Sequence, residues 1–311
     1  MAFVLINLLS FSTVFALPQG PQVESGSAVF ESPDPMTLNI RAQNNTVINF
    51  SSFNVASNEV VNIYLPSENA ALLSRDLSGN ASHVLGSLIA NGNVFLVNTQ
   101  GISFGSSARV QVNNMVTSTL DIATNNFLNS NYRFERREGD PYAEVSNEGN
   151  IRAKNLVLQG SSVNNTGIIQ AEVGSVHLAS GDKTTVSFDP GGLIQVVVNQ
   201  QTTGKAAGAA HAVANSGRIE AVKVVMEAET SEDLFEDVIN QTGTVKASQV
   251  VEQNGVIRII ANGAIQVSGD LEAPQGQIEV LSTERSIAMD RAMAMLAKEI
   301  QIKAAQDVHI N

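Results

Sequence analysis

From about Val23 onward, apolar and polar residues alternate in short runs that Gly and Asn interrupt. That two-residue period belongs to strands, not to helices with their 3.6-residue repeat. Val47-Ile48-Asn49-Phe50, Val60-Val61-Asn62-Ile63-Tyr64 and Val94-Phe95-Leu96-Val97 are rich in β-branched and aromatic residues and predict strands. Further along, one phrase recurs. Asn147-Glu148-Gly149-Asn150-Ile151, Asn165-Thr166-Gly167-Ile168-Ile169 and Asn215-Ser216-Gly217-Arg218-Ile219 all read Asn-x-Gly-x-Ile. Asn240-Gln241-Thr242-Gly243-Thr244-Val245 reads as the same phrase with one residue inserted, and Asn254-Gly255-Val256-Ile257 and Asn262-Gly263-Ala264-Ile265 as shortened versions.

The glycines of these phrases lie 18, 50 and 26 residues apart from Gly149 to Gly243. Gly192-Leu193-Ile194 falls near the middle of the 50-residue interval, so the reading is a repeat of roughly 18 to 26 residues. A unit that short cannot bury its own apolar face, but stacked units can. The prediction is an all-β solenoid, a stacked parallel β-helix of about 13 coils, about 60 Å long. The 30 Asn in the chain agree with it, because Asn tolerates left-handed backbone at corners and its amides can stack between coils. A β-sandwich would instead show hairpin signals at regular spacing.

Three segments stand apart. Ser231-Glu232-Asp233-Leu234-Phe235-Glu236-Asp237-Val238-Ile239-Asn240 has a cap residue, acids in its first turn and apolar residues at helical spacing, and predicts a short α-helix outside the coils near 231–240. Ala2 to Ala16 is apolar, too short to span a bilayer, and ends in the small-residue pattern Val14-Phe15-Ala16, so residues 1–16 read as a signal peptide cleaved after Ala16 despite lacking a basic start. Ile300, Ile302, Val308 and Ile310 keep a strand pattern to Asn311, which predicts coils continuing past residue 311.

The composition narrows the chemistry. With no Cys among 311 residues there is no disulfide framework, thiolate metal site or Cys nucleophile. A net charge of −12 opposes nucleic-acid binding. His83, His177, His211 and His309 are isolated in sequence, and the acids from Glu227 to Asp237 lack calcium-loop spacing, so no metal or other cofactor is expected. Gly101-Ile102-Ser103-Phe104-Gly105 matches a nucleophile elbow, yet the strand-like Ala108-Arg109-Val110-Gln111-Val112 follows where a helix is needed. Glu135-Arg136-Arg137-Glu138-Gly139-Asp140-Pro141 reads as a surface loop, and Gly204-Lys205-Ala206 lacks the rest of a phosphate loop. No catalytic residue is assigned.

One resemblance is specific. Asn45-Thr46-Val47-Ile48-Asn49-Phe50, Leu72-Leu73-Ser74-Arg75, Gly79-Asn80-Ala81-Ser82, Asn91-Gly92-Asn93-Val94-Phe95-Leu96-Val97-Asn98-Thr99-Gln100-Gly101-Ile102, and Thr119-Leu120-Asp121-Ile122 with Asn126-Phe127-Leu128-Asn129-Ser130-Asn131-Tyr132-Arg133-Phe134 carry it. Gly181-Asp182-Lys183 extends it. Over roughly residues 17–270 the chain resembles the secretion domain of filamentous-haemagglutinin-type exoproteins of bacterial two-partner secretion. The resemblance implies a right-handed parallel β-helix capped near its N-terminus, recognised by the periplasmic domain of an outer-membrane transporter and folding as it emerges. The family's Asn-Pro-Asn-Gly-Ile motif is kept here only at Asn98, Gly101 and Ile102, which the resemblance makes the secretion motif. The expected organisation is a capped front over 17–140 and coils over 141–311. The function so implied is a non-enzymatic module exporting an adhesin to the bacterial surface by way of the periplasm, with receptors on host or other cells met by regions beyond this chain. The alternatives are a β-helical polysaccharide-degrading enzyme, which needs paired carboxylates that the sparse acids between Ala143 and Thr230 do not offer, and the front end of a haem-acquisition or contact-dependent toxin exoprotein.

Overall fold

In the computed structural model the described residues are 17–188, 194–247 and 254–311, which leaves the proposed leader with Ala16, and Gly192 and Leu193, outside them. The repeated phrases lie where successive coils of a parallel β-helix stack. A first ladder starts at Thr37–Ala42, passes to Val60–Tyr64 and Ser87–Ala90, and ends in Met295–Ala304. Its core column runs Leu38, Val61, Leu88, Val110, Ile151, Ile169, Ile219, Val245, Leu271 and Met295, ten rungs in register among the described residues. A second ladder starts at Thr46–Phe50 and shares with the first the long bent strands Arg109–Ser118, Asn150–Gly160, Ile168–Ser180 and Arg218–Ala228. The third has nine short strands from Ser82–Val84 to Val308–Ile310. Ten rungs at strand spacing make a rod about 45 Å long.

The phrase has a physical meaning at each position. Its Ile side chain joins the core column. Its Asn turns inward at the corner and hydrogen-bonds the same residue one coil on: Asn147 Nδ2 donates to Asn165 Oδ1, Asn165 Nδ2 to Asn215 Oδ1, and Asn215 Nδ2 to Gln241 Oε1, each at 2.7 Å. All four are fully buried, so each amide's partner is its stacked neighbour. Gln241 therefore takes the Asn position and no residue is inserted; Asn240 is one place off the column. A Cβ on Gly167, Gly217, Gly243 or Gly269 would run into the carbonyl oxygen of the glycine one coil before it. Any larger residue would wedge two coils apart. Gly255 and Gly263 belong to other corners, against Ala247 and Val238, so the two shortened phrases are not members of this column. A second amide ladder, Asn93–Asn114–Asn155, holds the bend between the first two ladders.

Three expectations are corrected. First, Ile169 pairs directly with Ile219, so the 50-residue interval is one coil with an excursion, not two coils divided at Gly192. Ile194 belongs instead to an antiparallel hairpin with Phe188. The interval from Val110 to Ile151 likewise holds an excursion, and among the described residues the stack has ten rungs rather than 13. Second, residues 231–240 form no helix. Asp233 has φ of 55°, and the backbone N–H groups of Val238 and Ile239 donate to the Ala264 carbonyl of the next coil. Rung pairing outcompetes a helix of two or three turns, which is marginal by itself, while Phe235 and Val238 still pack into the core. Third, the helix that does form is Thr124–Leu128, five residues inside the first excursion.

The two excursions meet as a four-stranded antiparallel sheet outside the coils, Asp121–Ile122, Tyr132–Glu135, Lys183–Phe188 and Ile194–Gln200. It covers the outward column Val47, Leu73, Phe95, Val116 and Val157 of the second ladder. Phe127, Phe134, Val186, Ile194 and Val196 complete this second core, with Phe95 against Phe127 at 5.3 Å and Tyr132 at 4.7 Å between ring centroids. At the N-terminal end Gln22–Ser25 and Ala28–Asp34 run antiparallel to the first rungs and form the expected cap. The last rung leaves Leu296, Ile300, Val308 and Ile310 exposed.

The glycine column predicts the effect of a single methyl group. Gly217→Ala is expected to lower the denaturant midpoint by an amount worth about 1–3 kcal/mol, the usual cost of overpacking. An unchanged midpoint would mean that the coils separate freely at this corner.

Candidate functional site

The corner at Asn98–Ile102 closes the rung Asn93–Val97 and opens Ile102–Phe104. Asn98 is buried, and all of its polar side-chain atoms are used. Its Nδ2 donates to the Asn80 carbonyl at 2.8 Å and to Ser82 Oγ at 2.9 Å, while its Oδ1 accepts from Gln100 N–H at 2.9 Å. That last bond is an Asx turn, which holds the chain direction that the family's proline would otherwise preset. Gly101 has φ of 126°, a conformation that L side chains rarely adopt, and its carbonyl accepts from Ser82 N–H at 3.0 Å. Ile102 enters the buried core from the third ladder and pairs with Ser82 on one side and Val145 on the other.

Behind Asn98 lies a group that sequence reasoning missed. Ser82 Oγ donates to Asp76 Oδ2 at 2.6 Å, and the buried Asp76 carboxylate also accepts from the backbone N–H of Phe53 and of Ser78, both at 2.8 Å. Three donors compensate the burial of its charge. Asp76, Ser82 and Asn98 thus tie the exposed turn 77–81, where Leu77 projects into solvent, to the corner. Losing the Asn98 side chain removes three hydrogen bonds, an expected cost of about 2–4 kcal/mol. Of the five motif positions, the three retained ones are buried. Thr99 is half-buried and Gln100 exposed, and these are the two that differ.

The other residues singled out earlier do not come together. His83 and His309 are exposed at opposite ends of the third ladder. His211 is held by the Asp237 carbonyl and the Asn240 amide. Among the described residues no group of His, Asp and Glu has metal-binding geometry. Ser103 lies within the strand Ile102–Phe104, so Gly101–Gly105 is a rung of the third ladder and not a nucleophile elbow. Glu232 and Asp233 pair with Arg285 at 3.2 and 2.9 Å. Arg136 pairs with Asp182 at 3.2 Å and lies over the Tyr142 ring, and Lys205 lies over Phe235.

His177 is the exception, and no sequence signal marked it beyond its place in an alternating strand. It continues the outward column after Val157, before Val225, and is fully buried beside the outer sheet. Among the described residues neither ring nitrogen has a hydrogen-bond partner. Burial first, then the Lys223 ammonium, pushes its pKa down to about 3; the Ile194 backbone pulls upward without reaching hydrogen-bonding geometry. Glu227 lies two residues past Val225 on the neighbouring strand; burial pushes its carboxyl up, and it accepts from Val198 N–H. Ile194–Gln200 carries no charge.

Comparison with known proteins places these features. The family model described as TPS secretion domain matches residues 17–272. Two curated relatives, both named heme/hemopexin-binding protein and both from Haemophilus influenzae, are 28% and 26% identical over 94% and 84% of this chain. The chain spans about a third of their length, 34% and 30%. The HMW1 secretion domain from Haemophilus influenzae superposes with a TM-score of 0.68 at 26% identity, covering 94% of this chain and 84% of that one. A filamentous hemagglutinin secretion domain superposes with a TM-score of 0.57 at 13% identity, covering 94% of this chain and all of that one, and shows the shared fold.

His177 contributes one component of the pH dependence. Its folded pKa lies below the 6.5 of the unfolded side chain, so the stability it contributes is full above about pH 6.5 and drains away as pH falls towards 3. His177→Val removes this drain and leaves Glu227, which acts in the opposite direction, in both proteins. The stability advantage of the variant is expected to widen by about 1.4 kcal/mol per pH unit below pH 6.5 in denaturant titrations. A gap that stays constant with pH would show the ring free to take up protons in the fold.

Proposed function

The chain belongs to the TPS secretion domain family, and from that membership we propose that it directs a bacterial exoprotein through a dedicated outer-membrane transporter. In this reading the leader 1–16 is removed after Ala16 and delivers the chain to the periplasm, where the transporter's periplasmic domain meets it. Residues 17–140 form the capped front that is read first, and 141–311 supply coils that stack behind it outside the cell. Asn98, Gly101 and Ile102 carry the recognition motif. The observation that supports export is the family match over residues 17–272, and the burial pattern of the corner adds that its turn is kept. The retained side chains are those the turn geometry uses, so the motif survives in shape although two of its letters differ.

The cargo separates two readings. Likeness to filamentous-haemagglutinin-type domains supports an adhesin, and the names of both curated relatives favour haem acquisition. Haemin and hemopexin binding by the complete exported protein, set beside attachment of cells to it, tests which is correct.

Export itself is tested by expressing the full chain with and without its transporter. N-terminal sequencing of the exported product is expected to begin at Leu17, and an intact Met1 would remove the leader from the reading. Asn98→Ala and Ser82→Ala then separate recognition from stability, because both break the Asn98–Ser82 hydrogen bond and only the first alters the motif. Asn98→Ala is expected to reduce export several-fold more than its loss of stability accounts for, as calibrated by Ser82→Ala. If both variants are exported in proportion to their stability, the motif is a fold determinant and the transporter does not read it.

A further inference from the structure

The cap and the outer sheet are each weak on their own. The strand Gln22–Ser25 presents mostly exposed side chains and, among the described residues, pairs only with Thr46–Phe50, with an irregular register between Val23 and Ser25. The outer sheet begins with a strand of two residues, Asp121–Ile122. Between them lies Arg75, on the rung Ala71–Asp76, with 7% of its surface exposed. Its Nη1 donates to Glu24 of the cap at 3.0 Å and its Nε to Asp121 of the outer sheet at 3.2 Å. Its Nη2 donates to the Ile122 carbonyl and to Thr124 Oγ1. Thr124 Oγ1 in turn donates to the other Glu24 oxygen at 2.6 Å, across 100 residues of sequence. That bond comes first among the causes holding the Glu24 carboxyl below its usual range, ahead of Asn49 and Arg75 and against the effect of burial. Arg137 balances the second oxygen of Asp121.

We propose that Arg75 is a latch that makes closure of the N-terminal cap and docking of the outer sheet a single event. With the cap open, the guanidinium loses Glu24; with the outer sheet undocked, it loses Asp121, Ile122 and Thr124 together. Either half-open state leaves a charge in a low-dielectric site with part of its hydrogen bonding gone, the arrangement that removing one member of a buried ion pair makes costly. The fully closed and fully open states avoid that cost, the latter by hydration. Residues near the N-terminus are therefore secured only once a segment a hundred residues later is in place. The latch stands on geometry independent of the secretion reading.

Hydrogen exchange on the full chain, followed by mass spectrometry, tests it through two reciprocal substitutions. Thr124→Val keeps the shape of the outer segment and removes its hydroxyl link to Glu24 and Arg75. Glu24→Gln alters the cap alone. Each is expected to speed exchange by roughly tenfold, the worth of one charge-assisted hydrogen bond, in both the cap (19–35) and the first part of the outer sheet (119–136). Exchange in the coils over 213–245 should stay at the parental rate. If Thr124→Val acts only on 119–136, or Glu24→Gln only on 19–35, or neither acts on either, the two elements close separately and Arg75 is no latch.

Discussion

Successive coils of this protein stand one strand spacing apart, and at the corner of each repeated phrase that distance leaves no room for a Cβ. Glycine at 167, 217, 243 and 269 is the consequence, with the carbonyl of each coil occupying the volume that a side chain on the next would need. The same spacing places identical side chains directly above one another, so an inward polar group is satisfied by its own repeat. The buried amides from Asn147 to Gln241 use that geometry. Where the column leaves the amide ladder, it is filled by Val84 and Phe104 at one end and by Val267 and Met289 at the other. At these two junctions the end amides meet apolar neighbours, and the backbone supplies partners: Gln241 Nε2 donates to the Gly243 carbonyl at 2.8 Å, and Asn147 Oδ1 accepts from Gly149 N–H at 3.1 Å.

The outward face of the second ladder follows from a different constraint. Leu73, Phe95, Val116 and Val157 point away from the coil interior, and a bare apolar column of that length would invite association. The two excursions cover it, and because each supplies only part of the sheet, neither can do so alone. His177 stands in the column by the edge of this cover, where the preceding residues are apolar. Arg75 stands on the same ladder near its other end, joining the cover to the cap. Polar groups therefore interrupt the second core near both of its limits, and at each the cost of burial depends on whether the outer sheet is docked.

How far all this could be read in the sequence depended on the range of the interaction concerned. The Asn-x-Gly-x-Ile phrase is legible because stacking repeats the same demand every coil, and the core column, the amide ladder and the glycines all follow from it. Gln241 obscured the register because an amide one methylene longer serves the ladder equally well, while the adjacent Asn240 imitates the expected residue. Residues 231–240 satisfied every local rule for a helix and were overridden by hydrogen bonds to Ala264 in the next coil. The outer sheet was least legible. Its strands are two to seven residues long, come from segments about 50 residues apart, and repeat nothing. Its traces were the two overlong intervals and the aromatic residues crowded between Phe127 and Phe134.

The corner at Asn98 joins these levels. Turn geometry demands a buried amide at 98, a residue free to adopt positive φ at 101 and an apolar residue entering the core at 102, and the chain meets each demand. Positions 99 and 100 carry no such demand, since their side chains lie at or near the surface and the Asx turn sets the backbone without a proline. Divergence at 99 and 100 with retention at 98, 101 and 102 is therefore what the fold alone would permit. Recognition by a folded partner surface would read the opposite set, the exposed Gln100 and the projecting Leu77 on the turn that Asp76 and Ser82 hold in place. A partner that meets the segment before it folds would have all five side chains within reach, and then the buried residues could serve recognition first and packing afterwards. The order of those two uses, more than the contacts in the final structure, determines whether Asn98 belongs to the transporter or to the fold.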